Sequence, residues 1–132
     1  MININKVLDI AIKNDASDIH LIKGLKPIMR ISRELVEIEE EEVLAESDLY
    51  DAYDYFVRGN IDKDEIYKEV KRLDTSYEYG DVRLRVNISS ADDMPIFTLR
   101  IIKNTLPKFE ELGVPDIVRR MTLQPQGLIL VT

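Results

Sequence analysis

Alternation of apolar and polar residues is the strongest pattern in the chain, and it predicts β-strands. In residues 82–89 every second side chain is aliphatic, and residues 96–102 repeat that pattern. Neighbouring side chains of a strand point to opposite faces, so each segment is expected to bury one face and expose the other. Shorter runs between turn-forming residues complete the set of predicted strands, which comprises 18–22, 28–31, 35–38, 75–79, 82–89 and 96–102.

Apolar residues at helical spacing predict three helices. The first covers residues 5–14 and is amphipathic. The second follows Ser47, a candidate N-cap, and Gly59 is placed to end it. The third starts at an Asp-x-x-Glu capping box formed by Asp62 and Glu65, and runs to about residue 72.

The pattern changes after residue 103. Residues 109–112 and 115–121 are predicted as short helical segments. The continuous apolar run 128–131 is typical of a central parallel strand, for which this chain contains no partner of the same type. We therefore expect residues 1–103 to form one domain, and residues 104–132 to be a linker with the truncated start of another.

Three arginines are predicted to share the polar face of the two alternating strands. A simple hairpin with Ser89 opposite Ile96 places Arg85 opposite Arg100, and Arg83 points to the same side. Two facing cations repel, so the arrangement favours a nearby carboxylate or a bound anion. A solvated face with surface ion pairs is the alternative interpretation.

Net charge argues against a general nucleic-acid-binding protein. The 132 residues include 18 Lys and Arg against 25 Asp and Glu, a net charge of −7. Seven of the acidic residues lie between Glu34 and Glu46, where there is no basic residue, and the remainder of the chain is balanced. Phosphate backbones require a basic surface that this charge distribution opposes. We interpret residues 39–42 as a solvated loop, with an acidic docking surface as the alternative.

Few side chains offer catalytic chemistry. Cysteine is absent and His20 is the single histidine, which excludes disulfides, thiol nucleophiles, thiolate metal sites and a two-histidine zinc site within the chain. Asp18 is predicted to share a strand face with His20, and a local or mutual hydrogen bond would explain both. No apolar run approaches the roughly 20 residues of a membrane span, and no secretory signal is visible.

Several segments, in order along nearly the whole chain, resemble the PilT-type ATPases that retract type IV pili, within the secretion ATPase superfamily. Ala16-Ser17-Asp18-Ile19-His20-Leu21 is similar to that family's Ala-Ser-Asp-Leu-His-Leu strand, and a Gly-x-x-Pro turn follows at residues 24–27. Arg83-Leu84-Arg85-Val86-Asn87 is similar to its Arg-Phe-Arg-Val-Asn strand. Further similar segments are 74–77, 99–102, 112–115 and 127–132, the last of which resembles the approach to a Walker A loop.

The resemblance implies an α+β fold with a PAS-like antiparallel sheet flanked by helices, then a linker and the first strand of a RecA-like ATPase domain. It implies a homohexameric ring in which ATP and Mg²⁺ bind between the two domains, where Arg83, Arg85 and Arg100 approach the phosphates. The implied partners are the chain's own C-terminal ATPase domain, neighbouring subunits and a pilus inner-membrane platform protein. Neither nucleic acid nor direct membrane insertion is expected, and the implied location is cytoplasmic, at the inner face of the membrane.

The sequence also departs from the family pattern. Ser32-Arg33-Glu34 stands where the family usually has Asp-Gly-Asp or similar. Walker A and Walker B would lie beyond Thr132, so this fragment is expected to be no enzyme and to bind neither ATP nor Mg²⁺ tightly. Two alternatives stay open: the N-terminal domain of a type II secretion or pilus assembly ATPase, and a free-standing PAS-like ligand-binding module.

Overall fold

The computed structural model describes residues 1–58 and 60–132. Within this part of the chain, six antiparallel strands form one sheet. The strands are β1 (Asp18–Leu21), β2 (Ile28–Ile31), β3 (Glu34–Glu37), β4 (Arg72–Tyr79), β5 (Val82–Ala91) and β6 (Met94–Lys103). Their spatial order is β3-β2-β1-β6-β5-β4, so the last strand in sequence lies beside the first. The helices are α1 (Ile4–Lys13), α2 (Glu46–Val57), α3 (Ile61–Val70) and α4 (Asp116–Thr122).

Helices cover one face of the sheet, and the core lies between them. The aliphatic set of β5 and the alternate residues Phe97 and Leu99 of β6 are buried. They form one cluster with the apolar stripes of α1 and α2, and the rings of Phe56 and Phe97 lie 6.1 Å apart. The structure confirms the predicted α+β architecture, an antiparallel sheet flanked by helices.

The predicted hairpin register is confirmed. Ser89 pairs with Ile96, and Arg85 pairs with Arg100. The hairpin is longer than expected, because a two-residue turn at Asp92 and Asp93 replaces the predicted loop of residues 90–95. Pairing therefore continues to the very end of both strands.

The start of α2 differs from the prediction. The helix begins at Glu46 with Ala45 as its N-cap, so the assignment of Ser47 was wrong. The Asp48 carboxylate, two residues inside the helix, accepts a hydrogen bond from the Ala45 N–H at 2.9 Å. A buried carboxylate thus does the capping from inside the first turn. Gly59, expected to end this helix, lies outside the described residues.

The start of α3 also lies earlier than predicted. The Asn60 side chain accepts from the Lys63 N–H at 3.1 Å and is the N-cap, so the Asp62 capping box was wrong. Asn60 lies two residues before Asp62, and its side chain caps the helix there, so the helix begins at Ile61. The helix ends at Val70 because Lys71 is left-handed, with φ of 56°.

Residues 104–132 extend away from the core. A 3₁₀ turn covers Phe109–Leu112, and α4 buries none of its side chains. Residues 128–131, expected to be a buried strand, have no regular secondary structure and are exposed. A strand requires a partner, and the described residues offer this segment none. Its assignment to a second domain stays a prediction.

No described helix combines the length and the apolar character that crossing a bilayer requires.

Replacing Leu99 by Ala should lower the free energy of unfolding by about 2–5 kcal/mol, because the cavity left in a close-packed core cannot fully collapse. Leu99 is 0% exposed, between Ile19 and Val86 of the neighbouring strands. The matched control is Leu35→Ala, at a position 56% exposed on β3, which should change stability by about 0.5 kcal/mol or less. Urea unfolding measures both, and equal losses would contradict the assignment of the core.

The turn between β2 and β3 contains backbone strain. Ser32 and Arg33 both have positive φ, 48° and 79°, a conformation that residues other than Gly, Asn and Asp adopt at a cost. The two-residue connection tolerates this because the strands on either side are paired up to Ile31 and Glu34.

Arg33→Gly should therefore stabilise the protein by about 1 kcal/mol, because glycine adopts the left-handed conformation without a Cβ clash. Arg33→Ala is the control: it removes the same side chain but keeps the Cβ, so it should give no gain. Thermal or urea unfolding distinguishes them, and an equal gain in both variants would assign the effect to the arginine side chain instead.

Candidate functional site

Opposite the core, the sheet presents an open polar face on which charged residues line up across four strands. The strand register places Arg30 of β2 beside Asp18 of β1, Asp18 beside Arg100 of β6, and Arg100 beside Arg85 of β5. We call these four residues the arginine row. Because each strand contributes one residue at the same level, the row is a direct product of the sheet register.

Asp18 is the centre of the row and is almost completely buried, with 6% of its surface exposed. Its Oδ1 accepts a hydrogen bond from Arg100 Nε at 2.9 Å, and its Oδ2 accepts one from Ser17 Oγ at 2.8 Å. Arg30 Nε lies 3.6 Å from the same Oδ2. Burial alone would raise the pKa of Asp18, but the hydrogen bonds from Ser17 and Arg100 and the Arg100 charge outweigh it and lower the pKa. The carboxylate is therefore ionised at neutral pH.

Arg85 is the exposed end of the row. It faces Arg100 directly, and no ion pair to it is found in residues 1–58 and 60–132. Three guanidinium groups against one carboxylate leave the row with two positive charges, in a protein whose net charge is −7. Asp74 lines the same shallow depression, but its carboxylate is engaged by Asn87 Nδ2 at 2.9 Å and Arg72 Nε at 3.6 Å.

The three arginines singled out from the sequence lie on one face, as predicted, but in different environments. Arg83 is outside the row and pairs with the exposed Glu78, with 2.6 Å between Arg83 Nε and Glu78 Oε1. Arg100 is held by the buried Asp18, and Arg85 is left free of carboxylates among the described residues. The preference of facing arginines for a nearby carboxylate is thus met for Arg100.

Sequence reasoning missed Arg30 and the bridging role of Asp18. The strands containing them were predicted, but their lateral order was not, and only the pairing of β1 with both β2 and β6 brings the two arginines to one carboxylate. Asp18, Arg30 and Arg100 are oppositely charged residues at strand positions, and they predict cross-strand pairs only once the strand order is known.

His20 lies in the next cross-strand level, opposite Thr98. Its Nδ1 is 3.4 Å from Thr98 Oγ1, and its enclosed Nε2 finds no hydrogen-bond partner within the described residues. The expected mutual bond with Asp18 is not formed, because the Asp18 oxygens are taken by Ser17 and Arg100. Burial lowers the pKa of His20 despite the attraction of the Asp18 charge, so the ring is neutral at neutral pH. A structural role is consistent with this environment.

The acidic segment 39–42 lies elsewhere and is held against the domain. Lys6 of α1 donates to the Glu40 carbonyl at 2.9 Å and lies 2.6 Å from Glu41 Oε1. Lys26 donates to the carbonyl and the carboxylate of Glu39. Two lysines thus hold the loop, which agrees with the interpretation of this segment as a loop that leads into a helix.

Curated proteins include one close relative of this chain. The "Type IV pilus retractation ATPase PilT" of Pseudomonas aeruginosa is 30% identical over 136 residues, an alignment that covers 98% of this chain and 37% of that protein. The chain therefore spans little more than a third of its relative. No protein-family model matches the chain.

Solved structures share the fold. A crystal structure of the pilus retraction motor PilT with bound ADP has a TM-score of 0.76 at 25% identity, covering 94% of this chain and 36% of that one. The X-ray structure of the Legionella pneumophila ATPase DotB also has a TM-score of 0.76, at 24% identity, covering 93% of this chain and 35% of that one. The six-stranded sheet with its helices is thus a domain that these ATPases contain.

Asp18→Asn should destabilise the chain most at neutral pH. The folded pKa of Asp18 lies below its ordinary value of 3.8, so the ionised group contributes stability above pH 3.8 and loses it as the pH falls through the folded pKa. The difference in unfolding free energy between the original chain and the variant should therefore shrink on acidification to about pH 3. Urea unfolding at both pH values measures it.

The matched control for this experiment is Asp15→Asn. Asp15 is an exposed carboxylate that pairs with Lys103, which lies on β6, the strand that also contains Arg100. It should change stability little at either pH, because exposed ion pairs contribute little. A gap between Asp18→Asn and the original chain that stays constant on acidification would contradict the assigned ionisation of Asp18.

Proposed function

We propose a function for this chain on the basis of its family. The chain belongs to the PilT-type secretion ATPases, in which it corresponds to the N-terminal domain. The proposal is that the arginine row meets the phosphates of a nucleotide held between this domain and an ATPase domain. The observation that carries it is the position of Arg85, exposed and facing Arg100 on a face that the helices leave open. The solved PilT motor with bound ADP supports nucleotide as the ligand.

The row fits a polyanion by its charge and its donors. Guanidinium groups bind phosphate oxygens through paired N–H donors and stay charged at every relevant pH. Arg85 contributes a whole guanidinium, and Arg100 contributes the nitrogens that Asp18 does not engage. Two uncompensated positive charges would be offset by phosphate charge, and the repulsion between Arg85 and Arg100 would be relieved at the same time. Arg83 lies one level further along the same strand and would reach the ligand only by leaving Glu78.

Hydrolysis itself belongs to the rest of the parent protein in this proposal. A phosphate-binding loop and Mg²⁺ would supply the phosphoryl-transfer chemistry, while this domain supplies charge and orientation. Residues 104–132 support such a partner domain, because their apolar side chains are exposed here and would be buried against it. Loss of the terminal phosphate would weaken the contact with the row, which couples hydrolysis to movement of the domain.

The parent is proposed to be a hexameric motor that retracts a type IV pilus. It would act in the cytoplasm against an inner-membrane platform protein, with neighbouring subunits as further partners. The name of the Pseudomonas aeruginosa relative supports retraction. A secretion ATPase of the DotB kind is the second candidate, because the DotB fold matches equally well, with the same TM-score of 0.76. The proposed role of the arginines is the same in both.

Arg85→Ala in the full-length protein should lower kcat/KM for ATP hydrolysis by about tenfold or more, since a hydrogen bond to a charged group contributes about 1.5–3 kcal/mol. Arg100→Ala should behave similarly, with the fold unchanged by circular dichroism in both variants. Arg58→Ala is the charge-matched control: Arg58 is the exposed C-cap residue of α2, on the side of the sheet opposite the row, and its loss should leave turnover near normal. Normal hydrolysis in both Arg85→Ala and Arg100→Ala would remove the row from the nucleotide site.

A further inference from the structure

We propose that Asp18 is a positioning residue: its buried carboxylate holds Arg100 by the Nε edge and so directs the terminal guanidinium nitrogens to the nucleotide phosphates. This inference rests on the function proposed above. A buried residue of the sheet would thus have a role of its own in the proposed nucleotide site.

Asp18 is held rigidly enough to position another side chain. The residue before it, Ser17, is tied to both neighbouring strands: its N–H donates to the Arg30 carbonyl and its carbonyl accepts from the Ile101 N–H, each at 2.9 Å. The Ser17 hydroxyl then donates to Asp18 Oδ2 at 2.8 Å. With backbone and carboxylate both fixed, Oδ1 is left to define the place of Arg100 Nε, 2.9 Å away.

Arg100 is presented in a way that leaves its outer edge available. Its side chain is 66% exposed, yet it is anchored by a single bond through Nε. No hydrogen bond from its two terminal nitrogens is found within the described residues. An unanchored arginine loses rotamer entropy when it is ordered, so part of that cost is met before ligand arrives.

Arg30 is held differently, which identifies Arg100 as the arginine that Asp18 presents. The Arg30 Nε is 3.6 Å from Asp18, and its Nη1 donates to the Arg33 carbonyl at 3.3 Å. Arg30 is thus directed back toward its own turn. Its charge still belongs to the row, but its Nη1 already donates to a backbone carbonyl.

Electrostatics alone predicts the opposite sign from positioning, and this makes the inference testable. Removing the Asp18 charge raises the net charge of the row from two to three positive charges. If Asp18 were only a counter-ion, nucleotide would then bind more tightly. If Asp18 positions Arg100, the same change weakens the contact with the phosphates.

The experiment measures steady-state ATP hydrolysis and the Kd of a fluorescent ATP analogue with the full-length protein. Asp18→Asn keeps the size of the side chain but replaces the charged acceptor of Arg100 Nε by a neutral amide oxygen, and should lower kcat/KM by about tenfold, the low end for a hydrogen bond to a charged group. In the Arg100→Ala background, Asp18→Asn should cause no further loss, because the charge-assisted bond that it weakens is already absent. Asp15→Asn, the exposed carboxylate that pairs with the β6 residue Lys103, should leave hydrolysis unchanged.

Tighter or unchanged nucleotide binding by Asp18→Asn would overturn the inference, and so would losses that add in the double variant. If Asp18→Asn does not fold, Arg100→Lys asks the same question, because lysine keeps the charge but has no Nε edge. Positioning then predicts a loss close to that of Arg100→Ala, and near-normal activity would overturn it. Failure of the proposed function looks different: Arg85→Ala and Arg100→Ala would themselves leave hydrolysis unchanged.

Discussion

Burial of one face of β1, β5 and β6 under the helices decides where every polar side chain of those strands lies. The aliphatic residues of β5 and the facing residues of β6 and β1 have no other way to leave water, and with a period of two the residues between them must point outward. Arg85, Arg100 and Asp18 therefore lie on the same side of the sheet. The core thus determines the polar face as firmly as it determines its own packing.

Charge within that open face is organised around a buried acid. A carboxylate with so little contact with water requires donors, and Ser17 and Arg100 supply them, while the Arg30 charge lies 3.6 Å away on the other neighbouring strand. The result is a positive row on an acidic protein. The long acidic segment lies elsewhere and is held by lysines, so it does not neutralise the row.

The architecture of the domain and the greater length of its relatives both agree with contacts to a further domain. A sheet with one face covered is complete as a folded unit, while its open polar face and the exposed apolar residues after residue 103 are both suited to contacts with a further domain. The PilT and DotB ATPases contain the same fold within chains almost three times as long as the part it matches.

Local patterns in the sequence determined the strands and the β5–β6 register, because alternation and a short connection act between residues close in the chain, whereas the α+β class was predicted from the family resemblance. They failed at the helix starts, where Asn60 and Asp48 offered capping acceptors in competition with Asp62 and Ser47. At residues 128–131 the apolar run has no pairing partner among the described residues, so its assignment to the first strand of a second domain stays a prediction. Only the tertiary structure decided the position of β1 between β2 and β6. Asp18 and Arg100 are 82 residues apart, and no local rule brings them together; the burial of Ile19 and Leu21 against β6 does.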